Sequence, residues 1–378
     1  MNKLLQNAGN IALQIGRILF GAVFVFSGFV KAIDPLGSTY KIEDYLHHFG
    51  GFLESMADYA FPLAIALSTL ELIIGLNMIF RIHIDLTNIL ALIFMLIMTP
   101  LTLYIAIKNP VTDCGCFGDA LIISNWATFS KNIVLLAIAI LMIVYNYKFH
   151  PFLTNRFQFL VFFVFIAAGI SLSLYSYRHL PMIDFLPYKV GVNIPKAMEI
   201  PDNAPSDVYE TTFIYQKNGE QKEFTLENYP KGDPSWTFVD QKSVLISKGY
   251  KAPIHDFSIM NEQFDDITKE VLNYPGNTYL LICYDINETS VDGAIKAEQI
   301  YQKAKKEGTK FYVLTASSDD DIRKFTDKTG VTYPFWKTDM TALKTVIRAN
   351  PGLVLIKSGT VQGKWNWRDF DKSEVIDK

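Results

Sequence analysis

Cysteine is scarce in this chain: three residues in 378, too few for a disulfide-stapled scaffold, so any thiol chemistry must be local. Charge is also sparse, at 19% of residues with a formal net charge of −3, which leaves no basic stripe of the kind that binds nucleic acid. Glycine-rich phosphate loops, zinc-ligand spacing and a serine nucleophile elbow are missing as well. The pair Gly50-Gly51 is too short to cradle a phosphate. Long apolar runs are abundant instead. They crowd the stretch from Ile11 to Tyr177, and from Arg178 onward charged and turn residues recur every few positions.

A helix needs about 20 mostly apolar residues to cross a bilayer. Five segments qualify: Ile11 to Ile33, Tyr59 to Phe80, Leu86 to Ile107, Trp126 to Tyr147 and Phe157 to Tyr177. Tyr59, Trp126, Tyr145, Tyr147, Tyr175 and Tyr177 lie at their ends, as in interfacial aromatic belts. The first run exceeds a signal-peptide core, carries Arg17 and precedes four more spans, so it is expected to be retained. The loops with Arg81 and with Lys148 and Arg156 lean cytoplasmic by the positive-inside rule. The first loop (Asp34 to Asp58) and the third, with Asp113 and Asp119, are acidic. With the amino terminus inside, these two loops and the whole carboxyl half face outward, in the periplasm of a bacterial inner membrane.

Two of the three cysteines stand one residue apart in the third loop, in Asp113-Cys114-Gly115-Cys116-Phe117-Gly118-Asp119. A Cys-x-Cys ring is smaller than Cys-x-x-Cys, so its disulfide is strained and comparatively oxidising. Gly115 supplies the backbone freedom the ring needs. A polar loop at a membrane surface is expected to leave the thiols accessible, while Asp113 and Asp119 raise their pKa. Redox exchange, a static disulfide clamp and metal binding all stay open at this point, although no further ligand pair lies nearby for a metal. Glu71, near the middle of the second span, is costly there and belongs on the bundle interior. It is either a proton or quinone-headgroup site or a structural carboxyl bonded to Lys31 or Asn77. His47-His48 reads as a solvated or interfacial pair.

The run Phe26-Ser27-Gly28-Phe29-Val30-Lys31-Ala32-Ile33-Asp34-Pro35, with Glu71 and Gly75, resembles the DoxX family signature, and the Asp-Cys-Gly-Cys-Phe-Gly-Asp run resembles the MauE branch of that superfamily. The resemblance covers roughly residues 10 to 150. It implies a four-helix membrane bundle, with the fifth span here a tether. MauE-type proteins are linked to maturation of a periplasmic, disulfide-rich methylamine dehydrogenase subunit, and DoxX-type proteins to quinone-coupled sulfur oxidation.

Beyond the spans, Arg178 to Ile254 reads as a Pro-rich extended connector. It holds one hairpin, Tyr209 to Gln216 and Gln221 to Leu226, turning at Asn218-Gly219. From His255 strands and helices alternate, in an order that resembles a thioredoxin-like domain of the peroxiredoxin and membrane-anchored type. That resemblance predicts a cis bond at Asn350-Pro351 and a binding groove beside Pro351. It also exposes a departure: the segment Asp285 to Ser290, where the family carries Cys-x-x-Cys, has no cysteine, and Cys283 lies inside a strand. The expected domains are therefore 1–150, the four-span bundle; 151–178, the fifth span; 179–254, a small β-rich connector; and 255–378, an α/β thioredoxin-like domain.

Two functions follow. In one, Cys114 and Cys116 shuttle between dithiol and disulfide for an extracytoplasmic client or redox partner, with a quinone as electron acceptor and Glu71 moving protons. A Cys116→Ala variant would then accumulate mixed disulfides through Cys114. In the other, the chain is a non-catalytic envelope scaffold with a structural disulfide and a peptide-binding domain.

Overall fold

The computed structural model describes residues 2–111 and 113–372. Met1 and residues 373–378, at the outer edges of the first and last expected domains, lie outside the described residues. The amino-terminal region is helical: α1 (Asn2–Ile33), α2 (Pro35–Phe49), α3 (Gly51–Glu54), α4 (Ala60–Phe80), α5 (Ile84–Lys108), α6 (Asn125–Val144) and α7 (Asn155–Arg178). Helices α1, α4, α5, α6 and α7 are long and apolar enough to cross a bilayer, which makes this a multi-pass membrane protein.

Helices α1 and α4 cross in close backbone contact. A Cβ on Gly28 would lie 2.5 Å from the Leu72 nitrogen, and one on Gly75 would lie 2.5 Å from the Val25 nitrogen. Small residues permit such an approach where lipid supplies no hydrophobic drive for helices to associate. At the opposite end of the crossing, buried Arg17 donates to the carbonyls of Met78 and Ile79 in the last turn of α4, which lacks intrahelical partners. The fifth span is more than a tether. Helix α7 packs on α4, with Gly169 fitted against Thr69, and Phe61 and Tyr177 have ring centroids 4.7 Å apart.

The first loop contains a fifteen-residue helix, α2. Asp34 caps it by accepting from the Gly37 amide at 2.9 Å, with Pro35 in the first turn.

The connector is also more structured than a spacer. After α8 (Ile194–Met198) come β1 (Val208–Lys217), β2 (Glu220–Thr225) and β3 (Thr237–Ser247), forming an antiparallel sheet in the order β2-β1-β3. The β1–β2 turn has Asn218 and Gly219 at positive φ, as a two-residue hairpin requires. Strand β3 went unread because Asp240, Gln241 and Lys242 interrupt its apolar pattern.

The carboxyl-terminal unit comprises α9 (Thr268–Leu272), β4 (Asn277–Ile282), α10 (Val291–Glu307), β5 (Lys310–Thr315), α11 (Asp319–Thr329), β6 (Phe335–Lys337), α12 (Met340–Val346), β7 (Gly352–Lys357) and β8 (Thr360–Asn366). Its five-stranded sheet has the order β6-β5-β4-β7-β8. Strands β4, β5 and β6 are parallel, and β7 and β8 are antiparallel to their neighbours. Strand β4 is buried on both faces, as its unbroken apolar run implies. Leu280 and Ile282 meet α12, while Leu281 and Cys283 meet α10. The Asn350-Pro351 bond is cis.

Residues from the expected connector complete this core. Tyr188, Ile194 and Ile254 are buried among Phe257, Leu280 and Val354, and the Tyr188 and Phe257 rings meet edge to face at 5.7 Å. The unit therefore begins well before His255. Its apolar faces need that cover, and the Pro-rich composition of 180–205 concealed it.

Truncating a buried aromatic costs about 3–5 kcal/mol. Tyr188→Ala is expected to loosen the α/β unit by that amount, read in the full chain as faster amide exchange in β4 and β7. Unchanged exchange would return residues 179–198 to the status of a spacer.

Candidate functional site

The site is assembled where α1, α4 and the α5–α6 loop converge. A buried carboxylate in hydrocarbon must find partners, and Glu71 finds two on α1. Lys31 Nζ lies 2.7 and 2.9 Å from its carboxylate oxygens, and Ser27 donates to it at 2.7 Å. The close crossing at Gly28 places both residues there. Of the two expected partners, Lys31 is the one engaged, whereas the side-chain amide oxygen of Asn77 makes no hydrogen bond.

The cysteine loop dips into the open end of the bundle. Irregular backbone at membrane depth is tolerated only where protein satisfies it. The Cys116 carbonyl lies 2.6 Å from Ser27 Oγ, within reach of the one hydroxyl proton that Glu71 also faces, and the Cys114 carbonyl accepts from the Tyr45 hydroxyl at 3.0 Å. The Gly115 amide donates to Asp113 at 2.8 Å. Gly115 sits at φ +67°, a conformation that favours glycine, with the Lys41 side chain against it. The Phe117 ring packs on Phe26 at 5.4 Å. Ser27 therefore ties the buried Lys31–Glu71 pair to the loop carrying the sulfurs.

Both cysteines are buried, at 9% and 7% exposure. This corrects the expectation of a polar, accessible loop: α2 and the bundle mouth enclose it. The thiols are unbridged, with the sulfurs 3.0 Å apart and hydrogen-bonded. The pair is asymmetric. Cys116 is held below the ordinary thiol range, at about 6, chiefly by the hydrogen bond from Cys114; burial opposes this, and Lys131 and Lys31 assist it. Cys114 is pushed far up by the same bond and by burial. The aspartates do not raise both thiols as expected, because each is paired: Asp113 with Lys41 at 2.9 Å and Asp119 with Arg348 at 2.8 Å.

Lys131, on α6, lies with its ammonium 4.3 Å from the Phe117 ring centroid. It is the seventh residue of the twenty in α6, on the amino-terminal side of the span centre, where a lysine costs less than the about 2.5–3.5 kcal/mol it would cost at the centre. Lys131 is half-buried, and its cation–π contact with Phe117 contributes about 0.5–2 kcal/mol. Among the described residues no carboxylate lies within ion-pair distance of Lys131.

A cavity of about 20 Å³ opens among Ser27, Lys31, Glu71, Cys116, Lys131 and Asn132. That is room for about one water. Both Glu71 oxygens are already engaged, so these residues do not fit a quinone ring.

The α/β unit closes over this mouth. Arg348, just before Pro351, donates from Nε to Asp34 at 3.0 Å and from Nη2 to Asp119 at 2.8 Å. The Tyr40 and Tyr284 hydroxyls meet at 3.2 Å, and Lys344 lies 4.3 Å from the Tyr40 ring centroid. Asp34 follows the first span, Asp119 the third and Arg348 the fifth, so loop and unit share one face of the membrane. The groove beside Pro351, about 530 Å³ and lined by Tyr284, Asn350 and Trp367, has Thr39, Tyr40 and Glu43 of α2 as its opposite wall.

Residues 9–145 match the family model described as Methylamine utilisation protein MauE. The membrane region is MauE-like. The MauE-like region spans α1 through α6 and includes Lys31, Glu71, Cys114, Cys116 and Lys131; α7 and the α/β unit lie beyond it. Residues 209–248, the three-stranded sheet, match a domain of unknown function (DUF8463). No curated protein and no solved structure matches the chain.

Elsewhere, His47 sits 3.6 Å from Glu54 and His48 3.4 Å from the Tyr104 hydroxyl, both exposed. Among the described residues no group of three or more His, Cys, Asp or Glu side chains could hold a metal. Cys283 is fully buried against α10, and burial raises its pKa. Sequence reading had singled out neither Lys131 nor Arg348. An unpaired lysine inside a span was a usable signal for the first; nothing local marks the second.

Removing one partner of a buried ion pair costs about 3–5 kcal/mol, whereas replacing both with apolar residues is often neutral or stabilising. Lys31→Met is therefore expected to lower the thermal midpoint of the detergent-solubilised protein sharply, and adding Glu71→Leu to restore it. A double variant as unstable as the single would mean that the pair does more than neutralise itself.

Proposed function

We propose that this chain is a membrane-bound disulfide-maturation factor whose Cys114–Cys116 pair exchanges with disulfides of an extracytoplasmic protein client. The observation that carries the reading is the unbridged pair of sulfurs 3.0 Å apart, one favoured as thiolate and the other as its hydrogen-bond donor. Thiolates, not thiols, attack disulfides. The Cys116 thiolate attacks one sulfur of a client disulfide, forming a mixed disulfide and releasing the other client sulfur as a thiolate. A third client thiol passes its proton to that thiolate and attacks the client sulfur bonded to Cys116. A rearranged client disulfide forms and Cys116 leaves as thiolate. No net electrons move. If the client stalls, Cys114 attacks Cys116, closes the strained ring and releases the client as a dithiol.

The carboxyl-terminal unit is read as a thioredoxin-like domain that lacks the Cys-x-x-Cys pair. Its strand order supports this, as does the placement of Pro351 directly before β7. It serves to position the client, on the periplasmic face of a bacterial inner membrane. The approach is a cleft of about 300 Å³ between α2, α12 and the cysteine loop, into which Gly115 and Gly118 face.

The burial of both sulfurs favours a second reading, a scaffold in which the loop is only a docking element. Glutathione disulfide discriminates between them. Cys114→Ser keeps a hydrogen-bond donor and removes the resolving sulfur, so the purified full chain is expected to accumulate a Cys116–glutathione adduct detectable by mass. This exchanges the roles anticipated from sequence. If Cys114→Ser forms no adduct and cells carrying Ser at both positions keep full function, the exchange reading fails and the scaffold stands.

A further inference from the structure

We propose that Lys131 is the counter-ion of the Cys116 thiolate, held inside the membrane to keep that sulfur charged. The inference deepens the exchange reading and rests on it for its purpose. The groups that face Cys116 are Lys31 from α1, Glu71 from α4, Lys131 from α6, and Cys114 of its own loop. Tyr45 of α2 bonds the Cys114 carbonyl, and Lys41 is taken by Asp113.

Charge bookkeeping over these groups leaves one cation over. Lys31 and Glu71 cancel, with both carboxylate oxygens engaged. Lys41 and Asp113 cancel outside them. Lys131 remains, within a membrane span, lining the same one-water cavity as Cys116 and held over the ring of the next residue, Phe117. A cation in that position is stable when an anion shares its low-dielectric surroundings. Among the cavity-lining residues the group able to become that anion is the Cys116 sulfur, so thiolate formation neutralises the site. The depressed titration of Cys116 agrees with this. Phe117 then has a definite role: its ring fixes the ammonium beside the sulfur without contributing a competing formal charge.

The test is the pH profile of Cys116 alkylation by iodoacetamide, an uncharged reagent, in the full-length protein in lipid nanodiscs, with the modified site assigned by peptide mass. In the wild type, reactivity is expected to fall as pH drops through about 6. In Lys131→Met the midpoint is expected to rise by about one pH unit, giving roughly tenfold slower labelling on the acidic side and equal rates at alkaline pH. Lys131→Arg keeps the charge and the ring contact and is expected to retain the wild-type midpoint. Because methionine removes a charge from a span, the neutral variant has no insertion penalty to overcome. Lys131→Gln repeats the test should methionine disturb the packing. A wild-type midpoint in both neutral variants overturns the assignment, even where Cys114→Ser still forms its glutathione adduct. A shifted midpoint with no adduct, in cells that keep full function with Ser at both positions, upholds Lys131 as counter-ion and removes the exchange reading instead.

Discussion

A carboxylate in the middle of a membrane helix cannot be left without partners, and the site is built around the way Glu71 is satisfied. Its needs bring Lys31 and Ser27 of α1 against α4. That approach is possible because Gly28 and Gly75 let the two backbones nearly touch. Ser27 in turn reaches the carbonyl of Cys116, so the loop between α5 and α6 is pulled into the mouth of the bundle. Without the buried pair there would be no fixed floor on which the cysteine loop could rest.

The loop's descent has two opposing consequences for its sulfurs. Burial suppresses charge, while the hydrogen bond between the thiols and the two nearby lysines favour it on one sulfur. The balance is resolved by dividing the roles: Cys114 keeps its proton and donates, and Cys116 is the better anion. Two like sulfurs are thus made chemically unequal by their surroundings, in the way neighbouring carboxylates are divided into acid and base elsewhere.

The α/β unit is fastened to the same mouth through Arg348, whose guanidinium spans Asp34 and Asp119. Those aspartates flank the two most distinctive motifs of the membrane region, the first ending α1 and the second closing the cysteine loop. One arginine therefore registers the soluble unit against both. The face of that unit next to Pro351 is turned toward α2 rather than toward open solvent. In the proposed function, that arrangement makes the unit a guide for what reaches the cysteine loop.

Much of this was legible in the sequence. The five spans follow from run length, the hairpin from Asn218-Gly219, and strands β4, β5 and β7 from their apolar runs, because each depends on local pattern alone. The buried partner of Glu71 was narrowed to two residues, and the cysteine pair was marked by its rarity. The tertiary structure decided the rest. It chose Lys31 over Asn77, buried thiols expected to be accessible, and drew Tyr188 and Ile194 out of a presumed spacer into a core. It brought Arg348 to aspartates more than two hundred residues away in sequence. Pattern in a chain reports which surfaces must be hidden and which charges must be matched. Which residue does the hiding or matching depends on helix crossings and domain docking, long-range packing that leaves no local periodicity to read.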